Sequence, residues 1–458
     1  MRLTLLFVLL LAGLPAAAEM QVPRSQSDIQ MGFVPVVKKA APAVVNIYAR
    51  RVVDLQSPFS ADPFFQDLFR DFGTQRQRVQ NSLGSGVILG RDGIVVSNYH
   101  VVGEATDIRV VLNDRREFSA KVLLSDEESD LAVLRLEEAH DMPALELRDS
   151  DTVEVGELVL AIGNPFGVGQ TVSSGIVSGL ARSGTATGNA RGYFIQTDAP
   201  INPGNSGGAL VDVNGRLIGI NTAMLSRSGG SNGIGFAIPS ALVAQFVAQA
   251  RAGNTAFLRP WSGLDGQPVT ADMAEGLGLD RPGGVVVSQL HPQSAFLAAG
   301  LQAGDVITAV DGQPVNTPAE MIFRMSVKGI GAEARITRIR EGARGEVDVS
   351  LIEAPDHPPR GRRVTGRAAA IPGMTLSTVN PAVIAEFGLP LTARGVAVDD
   401  PGRIGRRAGL RAGDVLRAIN DIPVIDADGA EQLLNEARRR LFLDVQRGTR
   451  RMTMRYRL

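Results

Sequence analysis

Short apolar runs separated by Gly, Asn and Asp follow one another through the first half of the chain. Each run is three to six residues long, which is too short for a helix but ordinary for a strand. The runs are 86–89, 93–96, 108–112, 131–136, 158–162, 175–177, 209–211, 217–220 and 235–238. This pattern predicts a mostly β domain built as barrels or sandwiches.

Two helices are predicted near the ends of this domain. The segment 34–41 has proline in its first turn, and the segment 240–249, which follows Pro239, has apolar residues at helical spacing. An apolar run at 42–48 predicts the first strand. We therefore place the first domain at residues 19–252.

The second half of the chain contains an internal repeat. The segments Ala299–Val310 and Ala408–Ile419 are identical at eight of their twelve positions. Two copies of a module of about 90 residues, an ordinary domain size, are therefore predicted at 257–355 and 368–458. The Pro- and Arg-rich stretch 356–367 has no apolar period and is predicted to be a linker.

The composition is that of a soluble globular protein. Of 458 residues, 44% are hydrophobic and 21% are charged, and the net charge of −1 gives no basic footprint for nucleic acid. The absence of cysteine excludes disulfides and thiolate metal sites. No Gly-rich stretch continues into Gly-Lys-Ser/Thr, so neither a nucleotide site nor another cofactor is predicted. The arginines near the C-terminus indicate a surface that is exposed to solvent. The alternative interpretation is that they contact an acidic membrane surface.

The first 18 residues have the pattern of an export signal. Met1 and Arg2 give a short positive start, an apolar run follows at 3–13, and 14–18 ends in Ala-x-Ala. The apolar run is shorter than the ~20 residues that a membrane-spanning helix needs. We therefore predict a signal peptide at 1–18 that is cleaved after Ala18.

Residues 55–80 are predicted to form a long inserted loop. Five of the seventeen phenylalanines lie between Phe59 and Phe72, among Pro and Asp residues. The rings either contact a neighbouring subunit or substrate, or fold back onto their own domain, and both interpretations stay open at this stage.

A serine flanked by glycines, in Gly204-Asn205-Ser206-Gly207, leads directly into the apolar run at 209–211. Such a turn can present several backbone N–H groups beside a hydroxyl, which is the arrangement of a nucleophile next to an oxyanion hole. A serine nucleophile needs a base. Of the four histidines, His100 follows a strand-like run within the same domain, and it is therefore assigned as the base.

A carboxylate that orients the imidazole should lie at the mouth of an apolar strand and not in a charge run. Asp130, directly before the run 131–136, meets that description, whereas 126–128 have the pattern of a solvated turn. Asp151 and Asp198 are lesser candidates. The order of the three residues in the chain is that of the chymotrypsin arrangement: His100, Asp130, Ser206.

With these residues the chain resembles the HtrA/Deg (Do-like) family of ATP-independent serine proteases. The motifs that carry the resemblance are 97–102, 129–133, 162–167, 196–208 and 233–239. The resemblance implies a chymotrypsin-like double β-barrel followed by two PDZ-like α+β domains. It also implies a periplasmic endoprotease that degrades unfolded or mislocalised proteins and assembles as a homotrimer or a larger homo-oligomer.

The family pattern also implies roles for individual residues. His100 would take the Ser206 proton and return it to the leaving amine, while Asp130 orients the ring. The backbone N–H groups of Gly204 and Ser206, with Asn205 between them, would hold the oxyanion.

Two positions near Ser206 differ from the digestive serine proteases, and these differences bear on regulation and on substrate specificity. Digestive relatives carry an aspartate where Asn205 stands, and that aspartate pairs with a new amino terminus, so this switch cannot operate here. We expect regulation by assembly or by ordering of the loops 178–193, which contains Arg182, and 226–235. Pro200, and not an acidic residue, stands six positions before the serine, so a pocket for Lys or Arg is not expected. The residues expected to line a small or medium apolar pocket are Ile201, Asn221, Thr222 and Ala223.

The PDZ resemblance implies that peptide C-termini bind by strand addition. In the first module the segment that resembles the binding loop is Trp261, Ser262, Gly263 and Leu264, with a polar Ser262 where an apolar residue is usual. In the second module, 372–375 matches the loop poorly, so that module is expected to serve mainly in interaction or assembly.

Two further functions compete with general proteolysis at this stage. One is a holdase or scaffold whose PDZ-like modules bind clients while hydrolysis is secondary. The other is a site-specific regulatory protease that leaves unfolded proteins largely intact unless a peptide activates it.

Overall fold

The protein is described by a computed structural model that covers residues 32–54, 77–164, 169–183, 193–202, 204–224 and 233–458. The predicted signal peptide, the five clustered phenylalanines and most of the two loops expected to be mobile lie outside the described residues. Within the described part, no helix combines the length and apolar character needed to cross a membrane.

The first domain begins with a closed antiparallel barrel in the order β1-β2-β3-β6-β5-β4. Its strands are β1 (Val44–Asp54), β2 (Gln77–Ile88), β3 (Ile94–Ser97), β4 (Asp107–Val111), β5 (Glu117–Asp126) and β6 (Leu131–Leu136). Helix α1 (Val34–Ala40) precedes the barrel, and the short helix α2 (Tyr99–Val102) follows β3. Strand β1 pairs with β2 from Val44 opposite Val87 to Asp54 opposite Gln77, so residues 77–80 of the predicted insertion belong to a strand.

A second closed barrel completes the domain in the order β10-β11-β12-β9-β8-β7. Its strands are β7 (Leu158–Gly163), β8 (Thr171–Ser183), β9 (Tyr193–Thr197), β10 (Ala209–Asp212), β11 (Leu217–Met224) and β12 (Gly235–Pro239). Helix α3 (Ser240–Arg251) follows β12 and buries Val243 and Phe246 in a core cluster shared with strands of the first barrel. The two barrels confirm the predicted double-barrel fold.

The two later modules have matching sheets with helices packed on them. The first has β13 (Leu264–Pro268), β14 (Val285–Leu290), β15 (Val306–Val310), β16 (Gln313–Pro314), β17 (Glu333–Arg340) and β18 (Ala343–Ser350), with α4 (Ala271–Gly276), α5 (Ala295–Ala298) and α6 (Pro318–Lys328). The second has β19 (Arg363–Val364), β20 (Thr375–Thr378), β21 (Val396–Asp400), β22 (Val415–Ile419), β23 (Ile422–Pro423), β24 (Arg440–Arg447) and β25 (Arg450–Arg457), with α7 (Pro381–Phe387), α8 (Gly402–Arg407) and α9 (Ala427–Glu436).

Strand order is the same in both modules, except for one strand. The first sheet runs β13-β14-β15-β17-β18, and the second runs β20-β21-β22-β24-β25 with β19 added outside β20. The two residues of β19 come from the stretch predicted to be a linker. A two-residue strand held by pairing with its neighbour leaves no apolar period in the sequence, which is why the pattern did not indicate it.

The first module contacts the double barrel through polar and aromatic groups. The ring of Phe323 on α6 stacks on that of Tyr193 with centroids 3.9 Å apart. Arg259, between α3 and β13, forms an ion pair with Asp126 and donates from Nη2 to Ser129 Oγ at 2.7 Å. Asp126 is therefore the bound end of β5, which corrects its assignment to a solvated turn. The partner that binds it is distant in sequence and was not visible in the local charge pattern.

Candidate active site

Ser206 lies in a tight turn between the two barrels, immediately before β10. Gly207 has a φ of +83°, and a Cβ at this position would stand 2.1 Å from the carbonyl oxygen of Ser85, so only glycine is accommodated. The carbonyl of Ser206 accepts a hydrogen bond from Ser85 N–H at 2.8 Å. The turn therefore places Ser206 against strand β2 of the first barrel.

His100 and Asp130 meet at the end of the first barrel. His100 lies on α2, and Asp130 directly precedes β6 with a φ of +52°. The imidazole Nδ1 is 2.9 Å from both carboxylate oxygens of Asp130, and His100 N–H donates to Asp130 Oδ1 at 3.0 Å. Asn98 Nδ2 donates to the Asp130 carbonyl at 2.9 Å, which holds the residue in this backbone conformation. The carboxylate is thus positioned to fix the imidazole tautomer with a proton on Nδ1.

Thr222 on β11 connects this pair to the serine. Its hydroxyl donates to Asp130 Oδ2 at 2.5 Å, and its backbone carbonyl accepts from Ser206 Oγ at 3.0 Å. Thr222 is buried, so both bonds lie in a partly desolvated region. The sequence assigned Thr222 to a substrate pocket, whereas its described contacts are with Asp130 and Ser206.

Some backbone N–H groups of the turn donate hydrogen bonds within the protein, and others do not. Asn205 N–H donates to Asn202 O at 2.9 Å, Gly207 N–H to Asn221 O at 2.8 Å, and Gly208 N–H to Asn205 O at 2.9 Å. Among the described residues, no acceptor receives the N–H groups of Gly204 or Ser206. These two donors are therefore the ones that a ligand oxygen can use.

Ser85 is a residue that the sequence interpretation did not single out. Its hydroxyl donates to Gly204 O at 2.6 Å and accepts from Asn164 N–H at 2.8 Å. Ser97 Oγ donates to the Ser85 carbonyl at 2.7 Å. Ser85 thereby connects the serine turn to the segment after β7. Its one local signal is the pair of flanking glycines, 84 and 86, which leave room for close backbone approach.

Two other residues that were predicted to line the substrate pocket are buried and do not form an open pocket wall. Ile201 is 1% exposed and packs in the core of the second barrel, and Asn221 is fully buried with its Nδ2 donating to Ala209 O at 3.0 Å. Arg182 and Ala223 lie in β8 and β11, but their side chains are outside the described part. The pocket assignment stays a prediction.

The lesser carboxylate candidates have other partners. Asp198 Oδ1 accepts from Ile176 N–H at 2.7 Å, and Asp151 forms an ion pair with Arg324 of the first module. Neither contacts His100 in the described structure. No cluster of three or more His, Asp or Glu side chains in the described ranges could hold a metal ion.

The predicted peptide-binding segment leads into β13 at the edge of the first module, and its last residue, Leu264, is the first residue of that strand. Gly263 has a φ of +59°, and its carbonyl accepts from His291 N–H at 2.7 Å. The rings of Trp261 and His291 meet edge to face with centroids 5.4 Å apart, and Ser262 O accepts from Ser294 Oγ at 2.5 Å. Among described residues, no strand pairs with the outer edge of β13, which begins at Leu264.

Family models match three parts of the chain. A trypsin-like peptidase domain matches residues 84–220, and PDZ domains match 241–351 and 395–447. The first PDZ match begins within α3, although that helix packs against the barrels.

Several known proteins are similar over most of the chain. A probable periplasmic serine protease do/HhoA-like of Haemophilus influenzae is 37% identical and covers 94% of this chain and 92% of its own length. The periplasmic pH-dependent serine endoprotease DegQ of Escherichia coli is 39% identical, with coverage of 84% and 82%. The periplasmic serine endoprotease DegP of the same organism is 38% identical, with coverage of 86% and 80%. The solved structure of the HtrA-type protease AlgW with decapeptide has a TM-score of 0.53 at 40% identity and covers 71% of this chain and 99% of that chain.

Proposed function

The chain belongs to the HtrA/Deg family of serine endopeptidases, and we propose that it hydrolyses unfolded or mislocalised proteins with Ser206 as nucleophile, His100 as base and Asp130 as the orienting carboxylate. The observation that carries the assignment is the hydrogen-bonded series from His100 through Asp130 and Thr222 to Ser206. It joins residues from both barrels that lie far apart in the sequence.

In the proposed reaction, His100 Nε2 removes the Ser206 hydroxyl proton as Oγ attacks the scissile carbonyl carbon. The carbonyl oxygen becomes an anion, which the N–H groups of Gly204 and Ser206 stabilise. His100 then donates the proton to the leaving amine, and an acyl-enzyme remains. Water attacks this acyl-enzyme while His100 takes a proton from the water, and His100 finally returns that proton to Ser206 Oγ. Asp130 stabilises the imidazolium in each step because its carboxylate already accepts the Nδ1 proton.

The hydroxyl of Ser206 must rotate before this reaction can begin. It donates to Thr222 O, and transfer of its proton requires that it turn towards His100 instead. Such a rotation between staggered χ1 positions breaks the bond to Thr222 O but needs no movement of the backbone. The arrangement therefore supports a resting state that substrate or neighbouring loops convert to the active one.

We further propose that the first module delivers substrate by adding a peptide strand to the free edge of β13. The segment Trp261–Leu264 would bind the peptide terminus. The related protease AlgW has been solved with a decapeptide, which supports peptide recognition as a property to test here. The export pattern at 1–18 and the periplasmic names of the relatives support a periplasmic location, and we propose assembly as a homotrimer or larger oligomer.

Degradation of casein by the purified mature chain tests the nucleophile. We expect Ser206→Ala to lower the rate by about 10³-fold or more, with and without an added C-terminal peptide. Ser350→Ala, at an exposed position of β18 in the first module, is the matched control and should retain full activity. Equal degradation by wild type and Ser206→Ala would exclude the triad. Suppression of aggregation by both without cleavage by either would favour the holdase.

A further inference from the structure

A segment of the chain lies along the sheet edge of the second module as an added strand. Strand β19 pairs antiparallel with β20, with Arg363 opposite Leu376 and Val364 opposite Thr375. Further along the edge, Thr378 N–H donates to Arg360 O at 2.7 Å. In the first module the corresponding edge, that of β13, has no such strand in the described part of the chain.

The end of this segment is bound by the loop that precedes β20. Gly373 N–H donates to Thr365 O and Met374 N–H donates to Thr365 Oγ1, both at 2.9 Å, while Thr365 N–H donates to Met374 O at 2.8 Å. Thr365 is 3% exposed, so these bonds are shielded from water. Where a peptide is captured by its terminus, loop N–H groups bind the carboxylate oxygens. Two oxygens of Thr365 take the place of that carboxylate.

The side chains of the segment alternate as those of a bound strand do. Thr365 points into the module, Val364 is 63% exposed, and the Arg363 guanidinium forms an ion pair with Asp428 in the first turn of α9. Arg363 Nη2 lies 3.2 Å from Asp428 Oδ2. The segment thus lies between β20 and α9, with one residue buried in the loop and a basic residue two positions earlier facing an acid.

We propose that the second module is a peptide-binding site that the chain keeps closed with its own residues 360–366. Once the segment leaves, the site accepts a peptide with a free carboxylate, a small β-branched last residue and a basic residue two positions before it. The segment is tethered beside the groove, so a free peptide competes with a local concentration on the order of millimolar. The poor match of the loop at 372–375 to the expected pattern therefore reflects a site adapted to an internal ligand.

The first module differs at the position that reads the basic residue. Ala319 occupies the second position of α6, and Asp428 occupies the same position of α9. A preference for a basic residue set by Asp428 is therefore specific to the second module. Peptide binding at this site does not depend on the role of Ser206, because it is measured without proteolysis.

Fluorescence anisotropy of a labelled Gly-Gly-Arg-Val-Thr peptide with a free carboxylate tests the closed site in full-length Ser206→Ala protein. Thr365→Pro removes the hydroxyl and the N–H donor that hold the segment, and we expect it to tighten peptide binding about tenfold or more. Val364→Ala, at the exposed position between the two contacts, should leave the affinity unchanged. An amidated peptide should lose the gain.

Exchange of the acidic residue identifies the module that binds. In the Thr365→Pro background, Asp428→Lys should reverse the preference from Gly-Gly-Arg-Val-Thr to Gly-Gly-Glu-Val-Thr, a change that binding to the first module would not produce. If circular dichroism shows that Thr365→Pro unfolds the module, Arg363→Glu at its half-exposed site serves as the opening variant. The proposal would be overturned if release of the segment did not increase the affinity for the peptide. It would also be overturned if the preference between the Arg and Glu peptides did not depend on residue 428.

Discussion

Thr222 contacts both ends of the proposed triad, which gives this one residue two positioning roles. Its hydroxyl donates to Asp130 and its carbonyl accepts from Ser206. The carboxylate of Asp130 already accepts from the ring and the backbone N–H of His100, so the Thr222 hydroxyl supplies a third bond. A carboxylate held by three donors is fixed in orientation, and the imidazole bound to it is fixed as well.

Removal of that hydroxyl should therefore slow catalysis without unfolding the site. We expect Thr222→Val, which keeps the side-chain shape, to lower kcat about tenfold with KM little changed, because a bond to a charged group contributes about 1.5–3 kcal/mol. Thr222→Ser should restore most of the rate. Steady-state hydrolysis of a peptide substrate measures both constants, and equal rates for the Val and Ser variants would contradict a role for the hydroxyl.

At the scale of elements, one arginine joins the segment before β7 to the end of β10 in the second barrel. Arg148 donates from Nη1 and Nη2 to the carboxylate of Glu157, just before β7, at 2.6 and 2.9 Å. The same Nη1 lies 3.5 Å from the carboxylate of Asp212, the last residue of β10, and Nη2 donates to Thr152 O at 2.7 Å. The hydrogen bonds from Arg148 hold the pKa of Glu157 below its usual value. This bound carboxylate therefore stabilises the barrel in a pH-dependent way.

The sign follows from the lowered pKa. The folded state binds the Glu157 proton less readily than the unfolded state, so the stabilisation is present above the ordinary glutamate pKa of about 4.3 and is lost as the pH falls through the lower folded value. We expect Glu157→Gln in Ser206→Ala protein to lower the free energy of unfolding by about 1–2 kcal/mol at pH 7, and by progressively less below pH ~4. Calorimetry of the two proteins at pH 7 and below pH ~4 measures this difference in the free energy of unfolding. Exposed Glu154→Gln is the control, and a pH-independent deficit would contradict the mechanism.

Element prediction succeeded where burial imposed an apolar period and failed where it did not. The buried strands β3, β6, β10 and β12 appear in the sequence as apolar runs. Strand β5 is mostly exposed or half-exposed and carries Lys, Glu and Ser, so no run indicated it. Strand β19 is held by backbone pairing and has exposed side chains. In both cases the partner strand, and not the local sequence, specifies the element.

At the scale of the whole molecule, the first module is docked on the barrels by α6. Arg324 is 11% exposed, forms an ion pair with Asp151 and donates from Nη2 to the Tyr193 hydroxyl at 3.0 Å. Gln245 Nε2 of α3 donates to Val327 O at 2.8 Å. Burial in this contact raises the pKa of Tyr193, although the charge of Arg324 opposes the effect. The position of the module is therefore coupled to a residue that begins β9.

Loss of the stacked ring should release the module. We expect Phe323→Ala in Ser206→Ala protein to weaken docking by about 3 kcal/mol, because a nearly fully buried ring is removed. The pKa of Tyr193 should fall towards its ordinary value of about 10 as water reaches the hydroxyl. Ultraviolet titration of the tyrosines and small-angle scattering measure the two effects. Exposed Arg335→Ala on β17 should change neither, and an unchanged Tyr193 titration in Phe323→Ala would contradict docking through this contact.

The sequence alone determined the fold class, the repeated modules and the three residues proposed for catalysis. Local sequence patterns indicate those features, because buried strands need apolar runs and the tight turn needs glycine beside Ser206. Only the tertiary structure decided that Thr222 binds Asp130, that Arg259 holds Asp126, and that Arg363 and Val364 pair with β20. Each of these depends on a partner distant in the chain, and the folded backbone brings such partners within hydrogen-bonding distance without leaving a local signal in the sequence.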